Sequence, residues 1–170
     1  MNWVLALLLF VTLQRLAELL HARRNTQRLL AEGATEIGAD HYPLLVMLHA
    51  AWLLSLWVLA VSGHAVIWWP AVCGYALIEI ARVWVMVSLG RYWTTRILIP
   101  RGAPLVRGGP YRFLRHPNYW VVIAEIALLP LALGSLNLAV LFSIINAAVL
   151  ALRIRVENRA LEPRRELHIL

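Results

Sequence analysis

The chain has 170 residues, 61% of them hydrophobic, and a mean hydropathy of +0.70, which excludes an ordinary soluble domain of this size and marks an integral membrane protein. Its charge is lopsided, because 16 basic residues, all of them arginine, face 9 carboxylates for a net +7 with histidine neutral. That balance suits anionic headgroups or anionic substrates, and in so apolar a chain it argues against nucleic acid.

A helix needs about 20 mostly apolar residues to cross the hydrocarbon core. The first candidate covers roughly residues 2 to 21, and it reads as a membrane span rather than a signal peptide, since no basic region precedes it and no small-residue cleavage site follows. Arg15 and Glu18 lie three apart within it and are expected to neutralise each other. Arg23, Arg24 and Arg28 follow. A second span covers roughly 43 to 62 and leads into the arginine-free connection Gly63 to Ile67. The third, roughly 68 to 89, holds Cys73, the single cysteine, expected as a packed apolar side chain, and Glu79 with Arg82, again three apart.

The connection from Gly90 to Asn118 is long for such a chain, and loops of that length tend to be functional or disordered. Tyr92, Trp93, Ile97, Leu98, Ile99, Leu105, Val106, Tyr111 and Phe113 give it apolar surface enough to fold over a ligand, while Pro100, Pro104, Pro110 and the pair Gly108, Gly109 supply turns. It also carries Arg91, Arg96, Arg101, Arg107, Arg112 and Arg115. Pro117 suits the first position of the next helix, with His116 as its cap and free backbone amides that attract anions. That fourth span covers roughly 118 to 134 and contains Glu125, which lacks a local partner. An intramembrane carboxylate of this kind is a candidate functional group, unless Asn146 of the fifth span satisfies it. Only Gly134 and Ser135 separate the fifth span, roughly 136 to 153, so the two should form a tight antiparallel hairpin. Beyond it lie Arg155, Arg159, Arg164 and Arg165 in the C-terminal segment 154–170.

The expected architecture is therefore an all-α integral membrane protein of five transmembrane helices in one domain: helices 1–3 over 1–89, a loop over 90–118, the hairpin over 118–153 and the terminal segment. Cytoplasmic loops keep excess positive charge. The arginines then place the N-terminus outside and the C-terminus in the cytoplasm. Trp3, Trp57, Trp68 and Trp69 would mark the outer interface, and Trp93 and Trp120 the inner one.

Two groups of residues suggest chemistry. The string Gly109 to Tyr119 concentrates arginine, imidazole and phenol where a helix begins. Arg153 and Glu157, four apart on one helical face, form either a surface pair or a divided site, in which the guanidinium clamps an anion and the carboxylate holds a second ligand. His21, His41, His49, His64 and His168 show no metal-ligand spacing. No Gly-x-Gly-x-x-Gly or Walker loop is present, and no Ser/His/Asp set stands out.

The string from Gly109 to Tyr119, with Arg115, His116, Pro117, Asn118 and Tyr119 at its core, followed by an apolar hairpin and then Arg153, Ile154 and Glu157, resembles the isoprenylcysteine carboxyl methyltransferase and phospholipid methyltransferase superfamily. The stretch from Arg15 to Pro43 is similar to short bacterial members, some of which O-methylate alkylpyrones or alkylresorcinols. The resemblance implies S-adenosylmethionine as methyl donor, bound on the cytoplasmic side of what would be a bacterial inner membrane, and a lipophilic small molecule or lipid as acceptor. It also implies roles. Leu105, Val106, Tyr111, His116, Pro117, Asn118, Tyr119 and Glu157 would hold the cofactor, Arg153 would face the acceptor, and His116 or Glu157 would serve as base where one is needed. Two departures from the family are visible: Asn158 follows Glu157 where a second acidic residue is common, and the chain lacks a longer tyrosine-bearing tail. The expected activity is O-methylation of a carboxylate or an acidic enol or phenol. Phospholipid N-methylation, a non-enzymatic lipid-binding scaffold and a small transporter using Glu79 and Glu125 are the competing readings, the last disfavoured by five spans without an inverted repeat.

Overall fold

The computed structural model describes residues 3–103 and 106–166, with side chains as far as Leu161. Five α-helices carry the architecture: α1 (Trp3–Ala31), α2 (Tyr42–Val61), α3 (Trp69–Leu89), α4 (Pro117–Ala132) and α5 (Leu136–Glu166). Four of them, α1, α2, α3 and α5, are long and apolar enough to cross a membrane. The remaining helix, α4, expected as one of two short spans, is apolar but shorter than the other four. Its 16 residues reach about 24 Å, short of the roughly 30 Å hydrocarbon core.

The fold is that of an all-α membrane protein, as expected, with one small addition: Thr35–Ile37 (β1) and Ile97–Ile99 (β2) pair antiparallel, with Thr35 opposite Ile99 and Ile37 opposite Ile97. Three-residue strands are too short to show a period-two pattern, so periodicity could not reveal them.

Both terminal helices outrun their hydropathy. α1 continues through residues 22–31, where Ala22, Asn25, Thr26 and Leu29 keep one buried face at helical spacing. It stops at Gly33, whose φ of 85° lets the Ala34 N–H reach the Leu29 carbonyl and the Gly33 N–H the Leu30 carbonyl. α5 runs thirteen residues past Arg153, since its sequence turns polar there without turning against helix. A fall in hydropathy marks where a helix leaves lipid, not where it ends.

The core joins Leu8 and Val11 of α1, Trp52 and Leu56 of α2, Ile126 and Leu129 of α4 and Phe142 of α5. α3 packs chiefly on α4, and α4 on α5. The short connection between α4 and α5 is bonded to the one between α2 and α3, through Val66 N–H to the Leu133 carbonyl and Trp68 N–H to the Ala132 carbonyl. The arginine-free connections thus meet at one end, and the β1–β2 ribbon joins the arginine-rich ones at the other.

Halfway along the bundle, charges from three helices meet. Arg15 reaches Glu18 at 2.8 Å, Glu79 at 2.7 Å and Glu125 at 3.0 Å. Arg82 pairs with Glu18 at 3.2 Å and grips Glu125 through Nε and Nη2. Gln14 donates to Glu18 and Glu79, and the Tyr75 hydroxyl accepts from Arg15. Of the pairings expected within single helices, Arg15–Glu18 is present, but Arg82 turns to α1 and α4 instead of Glu79. Glu125 is bound by these two arginines and not by Asn146, whose buried Oδ1 has no hydrogen-bond partner among the described residues. Local pairs on one helix are worth only about 0.2–0.5 kcal/mol, whereas a desolvated carboxylate needs every donor within reach.

Other expectations change with burial. Cys73 is exposed on α3 rather than packed. Trp93 is only 4% exposed and stacks on His21, with ring centroids 5.8 Å apart, so it cannot serve in a lipid-facing belt, while Trp120 is exposed.

Candidate active site

At the arginine-rich end, the start of α4, the polar half of α5 and the connection from α3 enclose a cleft of about 420 Å³. The α4 terminus forms as its sequence dictates. His116 occupies the N-cap position without a side-chain capping bond, Pro117 takes a first-turn position that needs no N–H, and a single 3-10 turn at Gly109–Arg112 brings the chain in. Gly109, at φ 58°, is pressed so close to α3 that a Cβ there would strike the Ser88 hydroxyl. No larger residue suits that contact.

Tyr119 is the hinge of the site. Its hydroxyl donates to the Glu157 carboxylate and accepts from Arg153 Nε at 3.0 Å. Arg153, 6% exposed, also donates through Nη2 to the Thr95 carbonyl at 2.7 Å, and its Nη1 has no hydrogen bond among the described residues. The His116 ring stacks on Tyr119 at 5.4 Å, its Nε2 donates to Asn158 Oδ1 at 3.1 Å, and its Nδ1 faces Glu157 at 3.6 Å. Asn158, one of the departures from the family pattern, thus braces the imidazole. Arg153 and Glu157 are neither a simple surface pair nor separate, since the Tyr119 hydroxyl bridges them.

Two groups are left wanting a partner of the opposite kind. Asn118 Oδ1 is buried and accepts nothing among the described residues. Arg107 and Arg115 line the cleft with no ion pair among the described residues, while Arg96 is already paired with Glu36. Burial, and then the Glu157 charge, push the Tyr111 phenol above its usual range, so it remains a protonated donor.

Of the residues expected from sequence, Val106, Tyr111, His116, Asn118, Tyr119, Arg153 and Glu157 line this cleft. Pro117 is buried at the helix start and shapes the turn, and Leu105 lies outside the described residues. Tyr92, Ile97, Leu98 and Ile99, expected as apolar loop surface able to fold over a ligand, also line the cleft, whereas Thr94, Leu29, Leu89 and Leu161 were not singled out for it. The two β-branched residues in the run Ile97, Leu98, Ile99 are the one local hint of a strand there, by composition and not by period. Among the described residues no group of three or more His, Cys, Asp or Glu could hold a metal ion.

The model of the isoprenylcysteine carboxyl methyltransferase (ICMT) family matches residues 71–163, a stretch that contains α3, the cleft loop, α4 and both Arg153 and Glu157. An uncharacterised protein of Bacillus subtilis (strain 168), YpbQ, is 43% identical over 165 residues, which cover 95% of this chain and 97% of the relative. An uncharacterised protein of Haemophilus influenzae is 27% identical over 142 residues, 81% of this chain and 83% of that one. No solved structure shows a significant match. With its long apolar helices and the site at the start of α4 inside the matched stretch, the chain belongs to the isoprenylcysteine carboxyl methyltransferase family, a family of membrane methyltransferases.

Proposed function

We propose that the protein transfers the methyl group of S-adenosylmethionine to an oxygen of a lipophilic acceptor, a carboxylate or an acidic enol or phenol of the isoprenylcysteine or alkyl polyketide kind. In this reading the cleft faces the cytoplasm, the N-terminus lies outside, and the membrane is the bacterial inner membrane, as the arginine distribution favours. The observation that carries the reading is the convergence of Tyr119, Glu157, His116 and the unpartnered Asn118 Oδ1 on one cleft inside the family-matched stretch.

These residues fit the cofactor. Glu157 would hold its ammonium group, and Asn118 Oδ1 offers a buried acceptor to an N–H donor. When bound, S-adenosylmethionine supplies an electrophilic methyl on a sulfonium, and methyl transfer neutralises that charge. The protein's task is then alignment and exclusion of water. Arg153 Nη1, together with Arg107 and Arg115, would orient an anionic acceptor oxygen, and Leu29, Leu89, Ile97 and Leu161 keep the cleft apolar around it. A carboxylate or ionised enol arrives without a proton. A phenol gives one up, and His116, with Nδ1 toward Glu157, is placed to receive it. Four arginines against one carboxylate in the cleft favour an anionic acceptor over an ammonium headgroup.

Calorimetric titration of S-adenosylhomocysteine into the folded protein in detergent tests the reading. Saturable one-site binding is expected, and its absence would sink the proposal. Membranes incubated with methyl-labelled donor would then reveal the acceptor as the labelled lipid.

A further inference from the structure

The family match begins at residue 71, yet one wall of the cleft is held in place by residues that precede it. The segment after α3 contributes Thr94, Arg96 and β2 to the cleft. Asn25 of α1, 3% exposed, donates its amide to the Trp93 carbonyl at 2.9 Å and the Gly90 carbonyl at 3.3 Å, and lies 3.2 Å from His21 Nε2. Glu36 of β1 receives Arg96 Nη1 on both oxygens, at 2.8 and 2.9 Å, while the guanidinium lies 4.7 Å over the Tyr42 ring. The Tyr42 hydroxyl meets Thr95 Oγ1 at 3.1 Å. On the other side of this segment, Arg153 Nη2 binds the Thr95 carbonyl.

The wall is thus clamped from α1, β1 and α2 against the one guanidinium that also holds Tyr119 and, through it, Glu157. We propose that Asn25 and Glu36 are positioning residues of this cleft, which act by holding the segment from Trp93 to Ile99 against Arg153. The inference rests on the cleft being the donor site. A buried amide with two backbone carbonyls to bind is expensive to replace, so Asn25 defines where the turn after α3 lies. Glu36 is the softer of the two, because its ion pair is partly exposed and such pairs contribute little to stability as a whole. Its effect should therefore appear in ligand binding more than in unfolding.

The test is titration of S-adenosylhomocysteine into the full chain and its variants, with hydrogen exchange of the Trp93–Ile99 segment followed in parallel. Glu36→Gln is expected to weaken binding about fivefold, to raise exchange in that segment, and to leave the melting temperature nearly unchanged. In an Arg96→Gln background the same substitution should have no further effect, because the two act as one pair. Asn25→Leu should weaken binding by at least as much, and Tyr42→Phe, which removes a single hydroxyl, gives a milder version should Asn25→Leu fold poorly. Wild-type protein that does not bind S-adenosylhomocysteine would overturn the functional reading itself. Wild-type binding with Glu36→Gln and Tyr42→Phe both within twofold of it would overturn this inference alone. So would a loss on Arg96→Gln that Glu36→Gln does not share, because Arg96 would then be touching the ligand directly.

Discussion

Two charged clusters lie on α4, and they are built on opposite terms. Around Glu125, three carboxylates and two arginines from α1, α3 and α4 meet within hydrogen-bonding reach, and each carboxylate has an arginine. Around Tyr119, a turn and a half along the same helix, the bonds are fewer and lead outward: Asn118 Oδ1 accepts nothing and Arg153 Nη1 donates to nothing among the described residues. The first cluster spends its charge on joining helices, and its one group without a partner among the described residues, Gln14 Oε1, lies away from the cleft. The second leaves hydrogen-bonding capacity open at the cleft, which the proposed ligand would use. Burial of charge alone therefore does not mark a site; unsatisfied capacity beside a cleft does.

The largest expected effect lies in the closed cluster. Glu125→Ala leaves Arg82 and Arg15 short of a partner in the bundle and should cost about 3–5 kcal/mol of stability, read as a marked drop in melting temperature in detergent. The fraction still folded should bind S-adenosylhomocysteine as the wild type does. A variant with normal melting and no binding would erase the distinction between the clusters. In the open cluster the ranking reverses. Glu157→Gln should weaken S-adenosylhomocysteine by about 30-fold or more, the equivalent of roughly 2 kcal/mol, with little change in melting. At the rim the effect is smallest. Arg107→Gln should raise the KM for an anionic acceptor, once labelling has identified one, by about two- to fourfold at low salt, a difference that shrinks as salt is added. An increase that ignores salt would mean that Arg107 acts by shape and not by charge.

Much of this contrast was legible in the residues. Gly134 and Ser135 announced the hairpin, Pro117 announced the start of α4, and the arginine distribution correctly grouped the connections at each end of the bundle. The helical spacing of four put Arg153 and Glu157 on one face but left a surface pair and a divided site both open, and only the family resemblance implied a role for them. Partnership across helices was not legible. Glu125 looked alone because sequence distance to Arg15 and Arg82 says nothing about proximity once three helices pack. The loop's apolar residues were read as a cover for a ligand, but the pairing that fixes them was hidden for a similar reason, since β1 and β2 are three residues each and acquire meaning only by pairing across some sixty positions. Trp93 and Cys73 were misjudged because hydrophobic character does not tell lipid from protein interior: in a bilayer both are apolar, and only packing decides which side chain meets which.

The shortness of α4 has a consequence for how the membrane lies around the protein. A helix of about 24 Å in a hydrocarbon layer of about 30 Å is a hydrophobic mismatch of several ångströms. Its far end is tied to the connection between α2 and α3, which would leave the deficit to the end that bears His116 and Tyr119. Phe113, Leu114 and Trp120 are exposed around that end and can take up the dimpled leaflet. On the function proposed above, a leaflet that thins around this end would bring a polar group on a greasy tail toward the cleft without pulling it out of the lipid.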